Sequence, residues 1–584
     1  MTELGTRSGS QILRTFLPQQ TADLRGGIYR VREWTGAGAI VVDVETVRRR
    51  LVRELGVWRR AGMDNGMTAD LMSGARIEVI ELDDRRGVTV ERWPEIWLCR
   101  DCRRIGKDRN RDCRCGHRRW GQLHFVGFHT CGAVHEPWIK RCPAHDDVML
   151  VNPRSSRAAD IKFVCPECQL ELSKGLGFRH CSCGDKDDPA VKWNVHKART
   201  VYTPRGTVLV NPPRPERMKD LLVVGGGRRA LSWVIDGMSV PTPHDMPGKQ
   251  TRGEFIEDLV RKGMDSAFAE KMAAMAAEGG QLADDNGRDD IDVLSTSLRE
   301  EAEHDAVDVA MAMSESRMSV ADLLDAPVDE ELRRRYREAY PAALRRAGLA
   351  GIDLVEQFPV LNVMYGYTRG GEPPKARLVP FRSPRGGYRL HGSLAETEAY
   401  FVRLDPARVA DWLESRGHAL SGWTVGDTDH RRARIAILQS AEIPPPGDEP
   451  DVATAGSDLL TLVHSYSHRF LRQTAVFAGI DRESLSEYLI PTHLGFFLYA
   501  VSRGDFVLGG LQAVFETELG ALVDTFFDAE HRCALDPGCS RGAGACSACL
   551  HVGEPSCRHF NTYLDRKVLF GTAGYVSTLE TRTP

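Results

Sequence analysis

The sequence predicts a multidomain α+β protein, and three observations carry that expectation. At 584 residues the chain exceeds what one hydrophobic core usually serves, so about two to four domains are expected. Ten of its fifteen cysteines fall between Cys99 and Cys183, and the other five lie between Cys533 and Cys557. Around these two blocks, apolar residues at helical spacing alternate with short β-rich runs bounded by Gly and Pro.

The N-terminal stretch reads as a small α/β segment over 1–90. Ser10 to Phe16 forms a short element, and Gly26 and Gly27 follow as a turn. Ala39 to Val42 is apolar, and Val47, Leu51, Leu55 and Trp58 fall on one helical face, as core residues do.

Residues 91–200 are expected to be zinc-ribbon-like modules. Cys99-x2-Cys102 is followed by Cys113-x-Cys115, and Cys165-x2-Cys168 by Cys181-x-Cys183. Each set is a close pair, a polar loop of ten or twelve residues and a second close pair. Gly116 and Gly184 supply turns behind the second pairs. Four thiolates on two tight turns are what a tetrahedral structural Zn2+ requires. The alternative is disulfides. The opening residues have no apolar core of a secretory leader, so a reducing, cytoplasmic setting is expected, where disulfides rarely persist. Between the two quartets, Cys131, Cys142 and His145 are candidate ligands of a mixed site, with His129 or His135 as the fourth donor.

The net charge of −4 excludes a chain that binds nucleic acid through its overall charge, so any such footprint is local. One stretch fits. From Cys99 to Trp120 there are nine Arg or Lys residues against three Asp. Arg103, Arg104, Lys107, Arg109, Arg111, Arg114, Arg118 and Arg119 are the candidate phosphate contacts, since forked guanidinium donors match phosphate oxygens. A solvated basic loop is the plainer reading. The second quartet differs, with Glu171, Asp185, Asp187 and Asp188 nearby, and is expected to face protein.

Residues 201–350 read as strands and then a helical insertion. Gly225-Gly-Gly227 lacks the Gly-Lys-Ser/Thr of a phosphate loop, and no such loop occurs elsewhere, so no ATP hydrolysis is expected by that route. From 253 to 345 the pattern is helical, interrupted by a polar, acidic segment from Gly279 to Asp292 that is expected to be a mobile loop. Met272, Met275, Met311, Met313 and Met318 are expected mainly in helix cores, a soft contact surface being the alternative. An α/β segment follows over 351–440, with strands near Val360–Arg369 and Glu398–Leu404, and the four prolines of 441–450 read as a linker. No run of eighteen apolar residues occurs, so no membrane span and no membrane partner are expected.

Residues 451–575 are expected to form a mixed helix-and-strand domain with a further zinc site. His464 and His468 share one helical face; the pair could bind metal, but no Glu sits between them as a metalloprotease helix requires, and a buried polar pair bracing the core is the expected reading. Of the last five cysteines, Cys539, Cys546, Cys549 and Cys557 make the most even set of four. Cys533 is then the extra thiol, with its exchange for Cys539 left open. Three or four structural Zn2+ ions are expected in all.

Several of these motifs resemble a known family. His464-Ser-Tyr-Ser-His468, Asp536-Pro-Gly-Cys539, Ala545-Cys-Ser-Ala-Cys549, Glu554-Pro-Ser-Cys557 and Asn561-Thr-Tyr-Leu-Asp-Arg566 are similar to the cysteine-containing C-terminal domain of MrfA-like DNA-repair helicases. Ser10-Gln-Ile-Leu-Arg-Thr15, Phe125-Val126 and Cys131-Gly-Ala-Val-His-Glu-Pro-Trp138 resemble the opening and central block of the DrmB family, the helicase-associated subunits of the DISARM anti-phage defence system. The chain departs from that family at Leu17-Pro-Gln-Gln20, where a Gly-Pro-Gly-like turn is expected. The resemblance implies a non-motor subunit that binds a DrmA-like helicase and engages DNA, single-stranded or at ends, beside other defence-system subunits. It implies zinc on Cys539, Cys546, Cys549 and Cys557 and no catalytic residues. Two rival classes are a protein-interaction scaffold without DNA contact and a zinc-dependent hydrolase or nuclease using the middle Cys/His cluster with Glu136.

Overall fold

A computed structural model describes residues 13–576 except 14, 25, 84–86, 153–157, 239–254, 257–258, 261–262, 279–290, 292, 327–328, 372–375, 445–451, 502–507, 529–532, 543, 554–555, 558, 560 and 572. Nearly all of the predicted Gly279–Asp292 loop, most of the prolines of the predicted linker and most of the Ser10–Thr15 motif lie outside the described residues. The chain divides into two compact units, one of residues 1–209 with 361–394 and the other of 210–360 with 395–584.

In the first unit, Thr21–Leu24, Gly27–Trp34 and Val88–Arg92 form a three-stranded antiparallel sheet. Asp43 caps the helix Val44–Glu54 by accepting the Thr46 N–H at 2.8 Å. The helical face read from the sequence is realised across this helix and the next, Gly56–Arg60. Val47, Leu51, Leu55 and Trp58 are all buried, against Met67, Leu71, Leu361, Val363 and Tyr365. Ile77–Glu81 runs parallel to the residues Tyr388–Gly392. At the departure from the expected Gly-Pro-Gly turn, Gln19 itself takes a left-handed φ of 67°, and its neighbour Gln20 holds the turn by accepting the Leu17 N–H at 3.1 Å.

The cysteine-rich part of this unit has little regular structure. Three small antiparallel sheets carry it. Trp97–Cys99 lies between Ile105–Gly106 and Trp120–Gln122, and Phe125–Phe128 lies between Val134–His135 and Lys192–Val195. Lys162–Val164 lies between Met149–Val151 and Glu171–Lys174. Its largest apolar cluster holds eight buried side chains: Ile96, Ile105, Leu123, Val148, Leu150, Ile161, Phe163 and Leu176.

The second unit is built on the helix Ala455–Phe477, started by a capping box in which Thr454 and Ser457 exchange hydrogen bonds. Leu459, Val463, Tyr466 and Phe470 line its buried face. Residues Ala399–Arg403 pair with Gly495–Tyr499, and that strand with Leu485–Ile490. Asp353 is buried and neutralised twice, by Arg403 at 2.6 Å and Arg317 at 3.1 Å. Glu398, also buried, accepts the N–H groups of Gly509, Leu511 and Gln512 at 3.0–3.1 Å, which satisfies the start of the helix Gly510–Thr517. The predicted methionines divide: Met311 and Met313 are buried in the helix Thr296–Ser316, while Met275 is exposed. Among the described residues, no helix is long and apolar enough to cross a membrane.

Candidate metal centres

All fifteen cysteines are free thiols, and fourteen of them converge with histidines into four sets of four donors. A tetrahedral zinc with sulfur at about 2.3 Å and nitrogen at about 2.0 Å has ligand–ligand edges of about 3.8 Å for sulfur pairs and 3.5 Å for sulfur–nitrogen pairs. A disulfide would bring two sulfurs to about 2.05 Å. The observed spacings select the first.

The knuckle set is Cys99, Cys102, Cys113 and Cys115, as the spacing predicted. Sγ of Cys99 lies 3.6 Å from Cys115 and that of Cys102 lies 3.4 Å from Cys113. Arg103 and Gly116 close the two turns with φ of 61° and 83°. Burial pushes the Cys102 thiol up, but the Arg104 backbone N–H and the neighbouring thiols outweigh it and bring it down to about 7. The Cys113 thiol is driven up by burial. Adjacent thiols cannot all ionise beside one another, and a bound dication removes that conflict.

The other predicted quartet is not one site. Cys165 and Cys168 join Cys142 and His145 in an inner set, while Cys181 and Cys183 join His129 and Cys131 in an outer set. In the inner set, His145 Nδ1 lies 3.5 Å from Cys142 Sγ and 3.6 Å from Cys165 Sγ, and Cys142 is 3.9 Å from Cys168. The His145 ring beside it lowers the Cys142 thiol to about 6. In the outer set, Cys131 lies 3.6 Å from Cys181, and His129 Nδ1 lies 3.5 Å from Cys183. His129 Nε2 donates to Asp188 O at 2.5 Å, so Nδ1 turns its lone pair toward the thiols.

Strand register explains the exchange. Met149 pairs with Val164, which sets the residues just before Met149, including Cys142 and His145, beside Cys165. The strand Glu171–Lys174 then carries the chain away from the Cys165–Cys168 turn, at about 3.3 Å per residue, before Cys181 is reached. Phe128 pairs with Lys192, which sets His129 and Cys131 against Cys181 and Cys183. The separate middle site expected from Cys131, Cys142 and His145 therefore does not form, and His135 belongs to no donor set among the described residues. A sequence signal for the true pairing exists. His129-x-Cys131-Gly132 repeats the form of Cys181-x-Cys183-Gly184, and Cys142-x2-His145 that of Cys165-x2-Cys168. Each trails a residue with positive φ: Gly132 at 96°, Gly184 at 80°, Asp146 at 43° and Gln169 at 60°.

The outer set is braced by Arg369, which is fully buried with carbonyls for partners. It donates to Gly132 O and Gln19 O, each at 2.9 Å, and to Val201 O, and it lies over the rings of Tyr367 and Tyr202. Burial holds its guanidinium below the usual arginine range. A side chain at Gly132 would meet Val379 at 2.8 Å, so the turn behind Cys131 admits only glycine.

In the second unit, Cys533, Cys539, Cys546 and Cys549 form the C-terminal set. Cys533 lies 3.4 Å from Cys546, and Cys549 lies 3.7 Å from both Cys539 and Cys546. Cys533 is thus a member, and Cys557, expected as the fourth ligand, is not. The physical reason is local. Ser556 O accepts from Ser486 Oγ at 3.1 Å and from the Glu487 N–H at 3.3 Å, which turns Cys557 toward the strand Leu485–Ile490. There it meets His464, His468 and Glu487, so the two histidines are not an isolated pair. Arg472 ties the C-terminal set to the long helix through Ser547 O, Ala548 O and His551 O at 3.0–3.3 Å.

The basic residues of the knuckle take two kinds of position. Arg104 is half-buried and bonds Asp147 at 2.8 Å and Glu167 at 2.9 Å, and Arg114 reaches Asp147 at 3.3 Å and His145 O at 3.0 Å. These two link the knuckle to the inner set. Arg103, Lys107, Arg109, Arg111, Arg118 and Arg119 are exposed, with Arg111, Arg118 and Arg119 in surface pairs to Asp108, Asp112 and Asp101. Glu136, the carboxylate a hydrolytic reading needs, accepts the Glu95 N–H at 2.5 Å and joins no donor set among the described residues.

The four Cys-rich sets are consistent with structural zinc sites, closed by four protein donors each. Residues 8–203, about a third of the chain, match a family model described as a domain of unknown function (DUF8724). The knuckle, inner and outer sets all fall within that match. The chain matches no curated protein.

Proposed function

We propose that this chain is a non-catalytic, zinc-braced accessory subunit that docks on a DrmA-like DNA helicase and helps grip DNA in anti-phage defence. The helicase supplies ATP-driven movement in the cytoplasm, and this chain supplies rigid surfaces to the helicase, to DNA with single-stranded or free-end character and to other defence subunits. The observation that supports the DNA role is the knuckle, where metal ligation holds a loop whose exposed cationic side chains include Arg103, Lys107, Arg109, Arg111, Arg118 and Arg119. Its three surface ion pairs do not oppose the reading. Such pairs contribute about 0–1 kcal/mol and yield readily to a phosphate that displaces counterions. Phosphate contacts of this type bind with strong salt dependence and little sequence preference. The family resemblance at residues 125–138 and 536–566 supports the helicase partner.

The test is DNA retention by the chain alone and with its helicase at two salt concentrations. The triple variant Arg109→Glu, Arg111→Glu, Arg118→Glu spares Arg104 and Arg114, which hold the fold. Retention is expected to fall by at least about tenfold, with the salt slope reduced by about three. Unchanged retention in a zinc-replete variant would leave a protein-interaction scaffold without DNA contact.

A further inference from the structure

We propose that His464 Nε2, His468 Nε2, Glu487 Oε1 and Cys557 Sγ hold a fifth zinc ion, buried inside the second unit. These four donors come from three segments: one face of the helix Ala455–Phe477, the strand Leu485–Ile490 and the chain beyond the C-terminal cysteine set. The two histidines are one turn apart, so their rings meet on the same side of the helix. None of the four is more than 2% exposed.

The donor atoms crowd one point. The two Nε2 atoms are 2.9 Å apart, Glu487 Oε1 is 3.0 Å from His464 and 3.1 Å from His468, and Cys557 Sγ is 3.3 Å from His464 Nε2. Each spacing lies within about half an ångström of the edge of a tetrahedron around zinc.

With Glu487 ionised, protons alone do not account for this cluster. His468 Nδ1 lies 2.9 Å from Leu550 O and must donate its hydrogen there, because a carbonyl only accepts. A neutral His468 therefore points the lone pair of Nε2 into the cluster, where it faces the Glu487 carboxylate oxygen, also an acceptor. Protonating that Nε2 satisfies Glu487. His464 Nε2 must then donate to the same oxygen, and two N–H groups face each other at 2.9 Å, or it accepts from His468 and presents a lone pair to the carboxylate. With Glu487 ionised, one contact of the triangle is repulsive in every assignment. A cation at the centre makes all of the lone pairs favourable at once.

Charge leads to the same conclusion. Zinc with one thiolate, one carboxylate and two neutral imidazoles is formally neutral, which suits complete burial. The two all-cysteine sets each carry two surplus negative charges with zinc, and each includes less buried ligands, Cys102 and Cys115 in one and Cys546 and Cys549 in the other.

The surroundings are those of metal ligands. The second nitrogen of His468 is anchored on a backbone carbonyl, the free oxygen Oε2 of Glu487 accepts from Ser467 Oγ, and Cys557 Sγ accepts the Asn561 N–H at 3.3 Å. Two imidazoles, one thiolate and one carboxylate without an open position suit structural Zn2+. The ion would fasten the segment after Cys549 to the central helix and strand. This inference does not depend on a helicase or on DNA.

The experiment is total metal content of the full-length chain by plasma mass spectrometry, with zinc-edge X-ray absorption on the same sample. Five zinc ions per chain are expected. The mean number of nitrogen or oxygen ligands per zinc is then about one, against about one half if only the four Cys-rich sets are filled. The variants Cys557→Ser and Glu487→Gln should each lower the content to four. Four zinc ions in the unaltered chain with the lower nitrogen and oxygen count, or a fifth metal that is not zinc, would overturn the assignment. Neither reading requires a variant to fold.

Discussion

The cysteine-rich part of the first unit and the core of the second reach order by opposite routes. The first holds three donor sets over an apolar cluster of eight buried side chains, on strands of two to four residues. The second packs 54 buried side chains into one cluster around the helix Ala455–Phe477, and its donor sets sit at the margin and within that packing. Among the described residues, the twelve buried apolar side chains of 96–196 other than cysteines, at about 1.5–3 kcal/mol each, cannot offset the ordering of about a hundred residues. Structural zinc, at about 10–16 kcal/mol per site, is therefore part of the fold in one region and a fastener in the other.

Chelation should break the symmetry most visibly. Metal removal at neutral pH is expected to unfold residues 96–196 while the central helix persists. Hydrogen exchange reads this directly: amides of Val126 and Phe163 should lose protection, and those of Val463 and Phe470 should keep it. Equal loss in both regions would end the comparison.

The nested arrangement of the inner and outer sets gives a sharper test. Cys165→Ser with Cys181→Ser should remove two zinc ions, because those residues serve different sets. Cys142→Ser with Cys165→Ser should remove one. The opposite order in zinc content would restore the quartet Cys165, Cys168, Cys181 and Cys183.

In the second unit, core and buried charge should dominate instead of metal. Asp353→Ala strands Arg317 and Arg403 with less than a sixth of each side chain exposed, and is expected to cost about 3–5 kcal/mol in urea unfolding. The zinc content of the first unit should not change.

A smaller effect is the pH dependence of Asp458. Burial raises its pKa, but hydrogen bonds from Arg416 at 2.8 Å and His418 at 2.7 Å outweigh burial and hold it below the usual 3.8. A carboxyl depressed in the folded state stabilises above its unfolded pKa and loses that contribution as pH falls through the folded value. Asp458→Asn should thus cost about 1–3 kcal/mol at pH 7, with the gap to the unaltered chain closing below pH 3.8. Comparing the two proteins at each pH cancels acid release of zinc, which both share.

Much of this protein was legible without coordinates. The helical face of Val47, Leu51, Leu55 and Trp58, the knuckle quartet and the metal character of both cysteine blocks follow from spacing alone. Local chemistry explains why, since two cysteines on one tight turn are held together by the turn itself. The tertiary structure decided which turns meet. Strand register brought Cys142 and His145 to Cys165, and His129 and Cys131 to Cys181, across separations that no local rule ranks. Hydrogen bonds from the strand Leu485–Ile490 to Ser556 drew Cys557 out of the last quartet and admitted Cys533. Glu487 carries no motif at all. A ligand set closed by long-range pairing is a property of the packed chain, because the chain must fold before those donors share a point in space.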